Sequence, residues 1–377
     1  MIYHLMHDGH FANLAINYFE KVNKNENTYL IDMDNITEFK HIKYIGDNIY
    51  SYKRGSVWIR NFIEKNTTEI DKVIVHHLTY YRAHLINTYL GNKNITWIFF
   101  GSDVYESFRE FEYLTYKYET RKITHYLRYK DKLRLLLRPS FFKLKYPFQN
   151  WNFSKYQAIK KINCFANTDK SAYEVIKRKL PIKADWKWFT FYSVNDIKKP
   201  DNFVLGNNIL IGNSSTALNN HIDLFKDLIS LDFKIQCEKY IVPLSYGNSY
   251  FKKKVNIFGK KILKDKFFPL NNFLPFDEYN NILSSCSVII MNHLRPQATG
   301  NIVTGLFLGA RVFLDENNPL FKYFSNLGLI IFSVNKDLHL LKDMSPLDTI
   351  SAKTNRIVIE SLYNEQNILD GIKQIIQ

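Results

Sequence analysis

Cysteine is scarce in this chain: Cys164, Cys237 and Cys286 are the only three in 377 residues, far apart and each in an apolar setting. They form no C-x-x-C pair and no metal-ligand spacing, so a disulfide framework or a thiolate metal site is excluded and buried thiols in a reducing cytoplasm are expected. Long apolar runs are missing as well. No stretch of about 18 apolar residues occurs, so no segment reads as a bilayer-spanning helix. The apolar start, Met1 to Met6, is short and lacks the basic region and long core of a secretory signal. Neither G-x-G-x-x-G nor G-x-x-x-x-G-K-[ST] is present, which argues against dinucleotide oxidoreductases and P-loop enzymes.

What is present is an ordinary globular composition, 46% apolar and 23% charged, in a chain long enough for two domains. The aromatic share of 16% accompanies abundant Lys, Asn and Ile, a bias that an AT-rich genome produces without any functional cause. The net charge of +15 is uneven. Residues 1–198 hold 32 Lys and Arg against 20 Asp and Glu, whereas residues 199–377 hold 19 against 16. Within the first half, Tyr113 to Phe148 carries ten basic and two acidic residues, interleaved with leucine and aromatics. Such a stretch suits a helix lying on an anionic bilayer, at ~1 kcal/mol per basic residue near the surface. It would also suit nucleic acid through phosphate contacts and stacking, or form a solvated face. We take the membrane reading, with Arg128, Lys130, Lys132 and Arg134 as the contacts and nucleic acid not a partner.

Short apolar runs alternate with helical spacing. Ile2–Met6, Thr28–Ile31, Lys72–His76, Thr96–Phe100 and Ile162–Ala166 read as strands, and Phe11–Val22 as a helix with Leu14, Ala15, Tyr18 and Phe19 on one face. After a polar, Pro- and Gly-containing stretch at 200–208 the pattern restarts, with strands at Asn208–Ile211, Lys239–Leu244, Ser287–Met291 and Arg311–Leu314. Two doubly wound α/β domains in tandem are expected, 1–199 and 200–377, with the last helix packing back on the first. The site belongs in their central cleft, outside the carboxyl ends of the strands.

Three loops carry candidate chemistry. Gly212-Asn213-Ser214-Ser215 joins a strand to a helix, where glycine allows close approach and free N–H groups favour phosphate, although a plain turn has the same look. His293-Leu294-Arg295-Pro296-Gln297-Ala298-Thr299-Gly300-Asn301 places a cation, two amides, a hydroxyl and a glycine at a helix start. A departing diphosphate needs such donors as its charge grows. Gly101-Ser102-Asp103 ends a strand in the first half, so Asp103 can serve as general base or simply cap the following helix. Asp8, in His7-Asp8-Gly9-His10 after the first strand, is the second candidate base. Asp32-Met33-Asp34 follows only the second strand and has no acidic partner, so no metal is expected.

In this order the motifs resemble glycosyltransferase family 56. Ile209–Phe225 is similar to the family's GNS…N-x-H-I segment, Ile241–Gly247 to its VPxxY strand and turn, and Leu274–Tyr279 to its FDxY helix start. Arg295-x-Gln297-x-x-Gly300 resembles its RQQGIG loop with Pro296 in place of the first Gln, and Asn317-Asn318-Pro319 its ENP turn, with the acidic residue one position early as Glu316. Trp97-x-x-x-Gly101-x-Asp103-x-Tyr105-Glu106 matches a further family pattern. The resemblance implies a metal-independent GT-B enzyme needing no cofactor. Its donor domain would hold the diphosphate through Gly212, Asn213, Ser214, Arg295, Thr299, Gly300 and Asn301. Asn219, His221, Tyr246, Gln297, Glu316 and Asn317 would complete the donor site. The implied donor is a dTDP-linked deoxy-amino sugar of the 4-acetamido-4,6-dideoxygalactose type. The implied acceptor is a polyprenyl-diphosphate-linked saccharide at the inner face of a bacterial inner membrane. Another UDP- or GDP-sugar transferase, or a non-catalytic basic protein, remain the alternatives.

Overall fold

The computed structural model describes the chain except residues 10, 36–37, 45, most of 125–150, 196, 198–204 and 230–235. Within 125–150 only Tyr129, Leu133, Leu137, Ser140 and Leu144 are described, so the four proposed membrane contacts lie outside the described residues, as does most of the stretch between the two halves.

The chain forms two compact units. The first comprises Met1–Ser107, Lys130–Tyr192 and Glu365–Gln377; the second, Phe108–Tyr129 and Ser193–Asn364. This partition differs from a single cut at 199/200. A segment of the first half, Phe108–Tyr129, folds with the second unit, and the final helix folds with the first.

Unit one contains a parallel sheet of β1 (Ile2–Met6), β2 (Asn27–Met33), β3 (Ile49–Lys53), β4 (Lys72–His76), β5 (Asn94–Ile98), β6 (Cys164–Asn167) and β7 (Asp185–Trp188). Their order is β3-β2-β1-β4-β5-β6-β7. Every residue of β1 and of β4 is buried, as expected of strands covered on both faces. Helix α1 (Ala12–Val22) buries Ala12, Ala15, Ile16 and Phe19. Leu14, assigned to that face from spacing, is instead 40% exposed. The first half also contains helices α2 (Val57–Lys65), α3 (Tyr80–Leu85) and α4 (Lys170–Lys177), with short helical turns at Ser102–Tyr105 and Lys155–Ile159.

Unit two repeats the winding with β8 (Asn208–Ile211), β9 (Tyr240–Pro243), β10 (Phe267–Leu270), β11 (Cys286–Met291), β12 (Arg311–Leu314) and β13 (Phe332–Ser333), in the order β10-β9-β8-β11-β12-β13. Its helices include α5 (His221–Ile229), α6 (Ser249–Leu263), α7 (Phe276–Ser284), α8 (Thr299–Leu308), α9 (Pro319–Asn326) and α10 (Thr349–Leu362). The core joins Ile209, Ile211, Phe225, Val242, Phe251 and Ile290. Helix α11 (Glu365–Ile376) buries Ile368, Ile372 and Ile375 in the core of unit one, beside Ile16 and Phe19. In each sheet the strand order reverses at one place, between β1 and β4 and between β8 and β11, and open α/β sheets bind ligands at such a place.

Candidate active site

The switch point of unit two gathers most of the loop residues singled out from sequence. Gly212 follows β8 with a φ of +65°, a conformation that glycine adopts without strain. A side chain there would also collide: a Cβ would stand 2.8 Å from His221 Nε2 and 2.9 Å from Asn219 Oδ1. Asn219 organises the loop. Its Oδ1 accepts from the Asn213 N–H at 3.2 Å and from Gln297 Nε2 at 3.1 Å, while its Nδ2 donates to the Ser214 carbonyl at 3.0 Å. Gln297 also donates to Asn213 Oδ1 at 3.3 Å, and Asn213 Nδ2 to the Tyr246 hydroxyl at 2.8 Å. Loops after β8, β9 and β11 therefore converge on one polar cluster.

Three groups in this cluster have properties that a ligand would use. His221 is fully buried, and neither ring nitrogen has a hydrogen-bond partner. Burial lowers its pKa to about 3, so the ring is neutral. Arg295 is buried in the loop that leads into α8, whose first N–H groups lack intrahelical acceptors. Its electrostatic influence reaches Tyr246, whose phenol burial nevertheless raises above the usual range. Ala298, at the N-cap of α8, holds a left-handed φ of +57°, so the turn from Arg295 into Thr299 and Gly300 is strained. A fixed cation, amide groups and a helix start around a small loop form an anion-binding arrangement.

Not every expected donor residue joins it. Asn301 donates instead to the Tyr279 hydroxyl at 2.9 Å, tying α8 to α7. Glu316 receives the Ser333 hydroxyl and lies 3.4 Å from Lys336 Nζ. Asn317 turns onto Asp315 through both its N–H and its Nδ2, at 2.9 Å each. These three side chains support the loops around the cluster.

Residues that sequence reading did not assign to the site stand next to them. Asn318 caps α9 and donates to His293 Nδ1 at 2.6 Å and to the carbonyls of His293 and Arg295. An Asn directly before a Pro at the first helical position is a signal that would have found it. Lys117 had no such signal. Its Nζ donates to Asn292 Oδ1 at 2.5 Å and pairs with Asp315 Oδ2 at 2.6 Å. Asp223 accepts from the N–H groups of Glu119 and Thr120 and from the Thr120 hydroxyl. These buried polar bonds explain why residues 108–129 fold with unit two.

In unit one both expected bases are otherwise engaged. Asp103 is fully buried and accepts from Leu78 N–H at 3.2 Å, Trp97 Nε1 at 2.8 Å and Phe100 N–H at 3.2 Å. It fastens the loop after β4 to the end of β5, with both carboxylate oxygens accepting. Asp8 accepts the N–H groups of Lys40, His41 and Ile42 and so folds that loop. Asp32 is held by two guanidiniums, Arg54 Nε at 2.6 Å and Arg82 NH2 at 2.5 Å, and Asp34 by Arg54 at 2.7 Å. Burial alone would raise the Asp32 pKa, but Arg82 and Arg54 outweigh it and hold the carboxylate below its usual range. Among the described residues no group of three His, Cys, Asp or Glu could hold a metal ion.

The same edge of unit one does present imidazoles. His7, after β1, places Nδ1 3.3 Å from Arg82 NH2. Arginine only donates, so that nitrogen accepts and the neutral ring carries its proton on Nε2. His77, after β4, has a left-handed φ of +70°, and its Nε2 lies 3.0 Å from Ser102 Oγ. Burial and then Arg82 lower both pKa values, to about 4 for His7 and about 2 for His77.

Solved structures similar to this chain share the whole two-unit path. HepE from Anabaena, solved with UDP and glucose, superposes with a TM-score of 0.63 at 11% identity, covering 100% of this chain and 99% of its own. A glycosyltransferase from Rickettsia africae gives 0.60 at 11% identity, with 100% and 98% covered. Sucrose-phosphate synthase from Thermosynechococcus elongatus gives 0.60 at 9% identity, also with 100% and 98% covered. At such identities the likeness is one of fold, and the fold is GT-B. Residues 181–344 match the family model described as 4-alpha-L-fucosyltransferase, glycosyl transferase group 56. The chain is a glycosyltransferase, and that stretch, which contains the whole polar cluster, carries the family 56 sequence.

Proposed function

We infer that this enzyme transfers a deoxy-amino sugar of the 4-acetamido-4,6-dideoxygalactose type from dTDP to a lipid-linked saccharide in bacterial surface-polysaccharide synthesis. The observation that carries the donor half is the convergence of Asn213, Asn219, His221, Tyr246, Arg295 and Gln297 at the switch point of unit two. Arg295 and the α8 N-terminus supply positive potential where the leaving diphosphate gains charge, without a metal. HepE was solved with UDP and glucose, which supports a nucleotide-sugar as the class of donor.

The acceptor half rests on unit one. With Asp103 and Asp8 engaged in hydrogen bonds, the imidazoles of His7 and His77 and the Ser102 hydroxyl are the groups of unit one that we place beside the acceptor, orienting its hydroxyl. Membrane contact rests on the basic stretch and on its described apolar residues. Tyr129, Leu133, Leu137 and Leu144 are 67%, 45%, 56% and 85% exposed, and their spacing puts them on one side of a helix. Among the described residues no helix is long and apolar enough to cross a membrane; it is the basic, apolar stretch that leads us to a peripheral position on the cytoplasmic leaflet.

A thermal-shift screen of dTDP-, UDP- and GDP-sugars tests the donor, followed by transfer to a short soluble acceptor in excess EDTA. Arg295→Ala should lower turnover about 100-fold while the protein stays folded. Unchanged turnover in that variant, or activity lost to EDTA and restored by Mg²⁺, would sink this mechanism.

A further inference from the structure

Arg82 and Asp32 form an ion pair in unit one with neither side chain exposed. Burying two charges costs free energy unless their remaining hydrogen-bonding capacity is met as well, so the other bonds of this guanidinium are informative. Its Nε and NH2 both donate to Asp32 Oδ2, at 2.7 and 2.5 Å. NH1 donates to the carbonyls of His76 and His77, the latter at 2.8 Å. NH2 also lies 3.3 Å from His7 Nδ1. An arginine carries five N–H donors in one rigid fork, and here each has an acceptor.

These acceptors lie on both sides of the place where the strand order of unit one reverses. His7 follows β1, while His76 ends β4 and His77 comes next. Arg82 is itself held from behind. Thr79 accepts its backbone N–H at 3.2 Å at the start of α3, and Arg54 Nε grips the second oxygen of Asp32 at 2.6 Å. Two effects on the imidazoles follow. A donor at Nδ1 leaves the proton of neutral His7 on Nε2. The bond to the His77 carbonyl, with another from the Thr79 N–H at 2.9 Å, braces a residue whose φ is +70°. From that backbone, His77 Nε2 reaches Ser102 Oγ at 3.0 Å. A lysine would keep the charge beside Asp32, but its single nitrogen lacks the fork that serves both loops.

We propose that Arg82 is a positioning residue for transfer: held by Asp32, it sets the ring tautomer of His7 and the backbone of His77, and so the hydrogen-bonding edges that the acceptor meets, without touching the acceptor itself. The proposal rests on the acceptor reading above, which places both imidazoles beside the acceptor. Ring ¹⁵N NMR of the full chain labelled at histidine, with the His7 signals assigned through His7→Gln, tests it near neutral pH. In the unmodified chain His7 should carry its proton on Nε2 with Nδ1 bare. The opposite tautomer, or an average of the two, overturns the proposal, and this measurement needs no variant to fold. Arg82→Lys keeps a counter-charge for Asp32, and in it His7 should become a mixture of tautomers. With a short soluble acceptor its kcat should fall about tenfold or more, while the KM for the donor stays within about twofold. Turnover retained in Arg82→Lys overturns the proposal. So does turnover lost with the His7 tautomer unchanged, which is how a merely structural residue behaves. His7→Gln separates the two readings: unchanged turnover there refutes the acceptor reading, while the tautomers in the unmodified chain and in Arg82→Lys still decide whether Arg82 sets the ring.

Discussion

The ammonium of Lys117 lies 2.6 Å from Asp315 Oδ2, joining a residue of the first half of the chain to the end of β12 in the second. Asp315 is fully buried; burial alone would raise its pKa, but Lys117 outweighs it and holds the carboxylate below the usual range. Removing one partner of a buried pair strands the other, at about 3–5 kcal/mol. Lys117→Met should therefore lower the melting temperature strongly, and adding Asp315→Leu should restore part of the loss. A single variant as stable as the unmodified protein in urea unfolding would show that the pair contributes nothing.

Asp103→Asn separates scaffold from catalyst. The carboxylate accepts three donors at once, and the amide would turn its own N–H groups toward one of them. An unmet buried donor costs about 1–3 kcal/mol, so stability should fall by that order. Turnover per folded molecule should hold within a few-fold. A thousandfold loss of turnover at unchanged stability would return Asp103 to the role of base.

Acid should destabilise the fold well above the carboxylate range. His4, His221 and His293 are fully buried, and burial lowers each pKa to about 3. The unfolded chain binds their protons below about pH 6.5, whereas the folded chain excludes them. Stability is therefore whole above pH 6.5 and declines as pH falls from there toward 3, by up to about 1.4 kcal/mol per pH unit for each ring. Urea unfolding at pH 7.5, 6.5, 5.5 and 4.5 measures this. Equal midpoints at 7.5 and 4.5 would mean that the rings are accessible to protons in the folded state.

The basic stretch makes a prediction of its own. Binding to liposomes should rise with anionic lipid and fall with salt, because surface charge is screened within about 8 Å at physiological ionic strength. Gln at Arg128, Lys130, Lys132 and Arg134 should release the protein while transfer to a soluble acceptor continues. Undiminished liposome binding by this variant would leave those residues as a solvated face.

Much of this was legible in the sequence, and for a local reason. Uninterrupted apolar strands such as β1 and β11 declare a parallel sheet buried on both faces, and a small polar turn after a strand declares a candidate ligand loop. Gly212, Asn213, Arg295 and Gln297 stand out because each lies in a loop that follows such a strand, whereas Asn219 was reached only through the family resemblance. The less regular strands β3, β7, β10 and β13 were not found, because partly exposed or two-residue strands carry little periodic signal.

Tertiary structure alone decided the rest. Asp103 and Asp8 stand where a base could stand, but which donors surround a carboxylate depends on loops that meet only in the fold. Tyr279 takes up Asn301, and Ser333 with Lys336 takes up Glu316, through partners that the motif spacing does not contain. The placement of Phe108–Tyr129 in unit two follows from Lys117 meeting Asn292 and Asp315, and from Asp223 capping Glu119 and Thr120. Each residue is ordinary in its own neighbourhood. The strands and their loop chemistry were readable from the chain because those signals are short-range. The pairing of distant buried polar groups is long-range, and only the folded chain selects it.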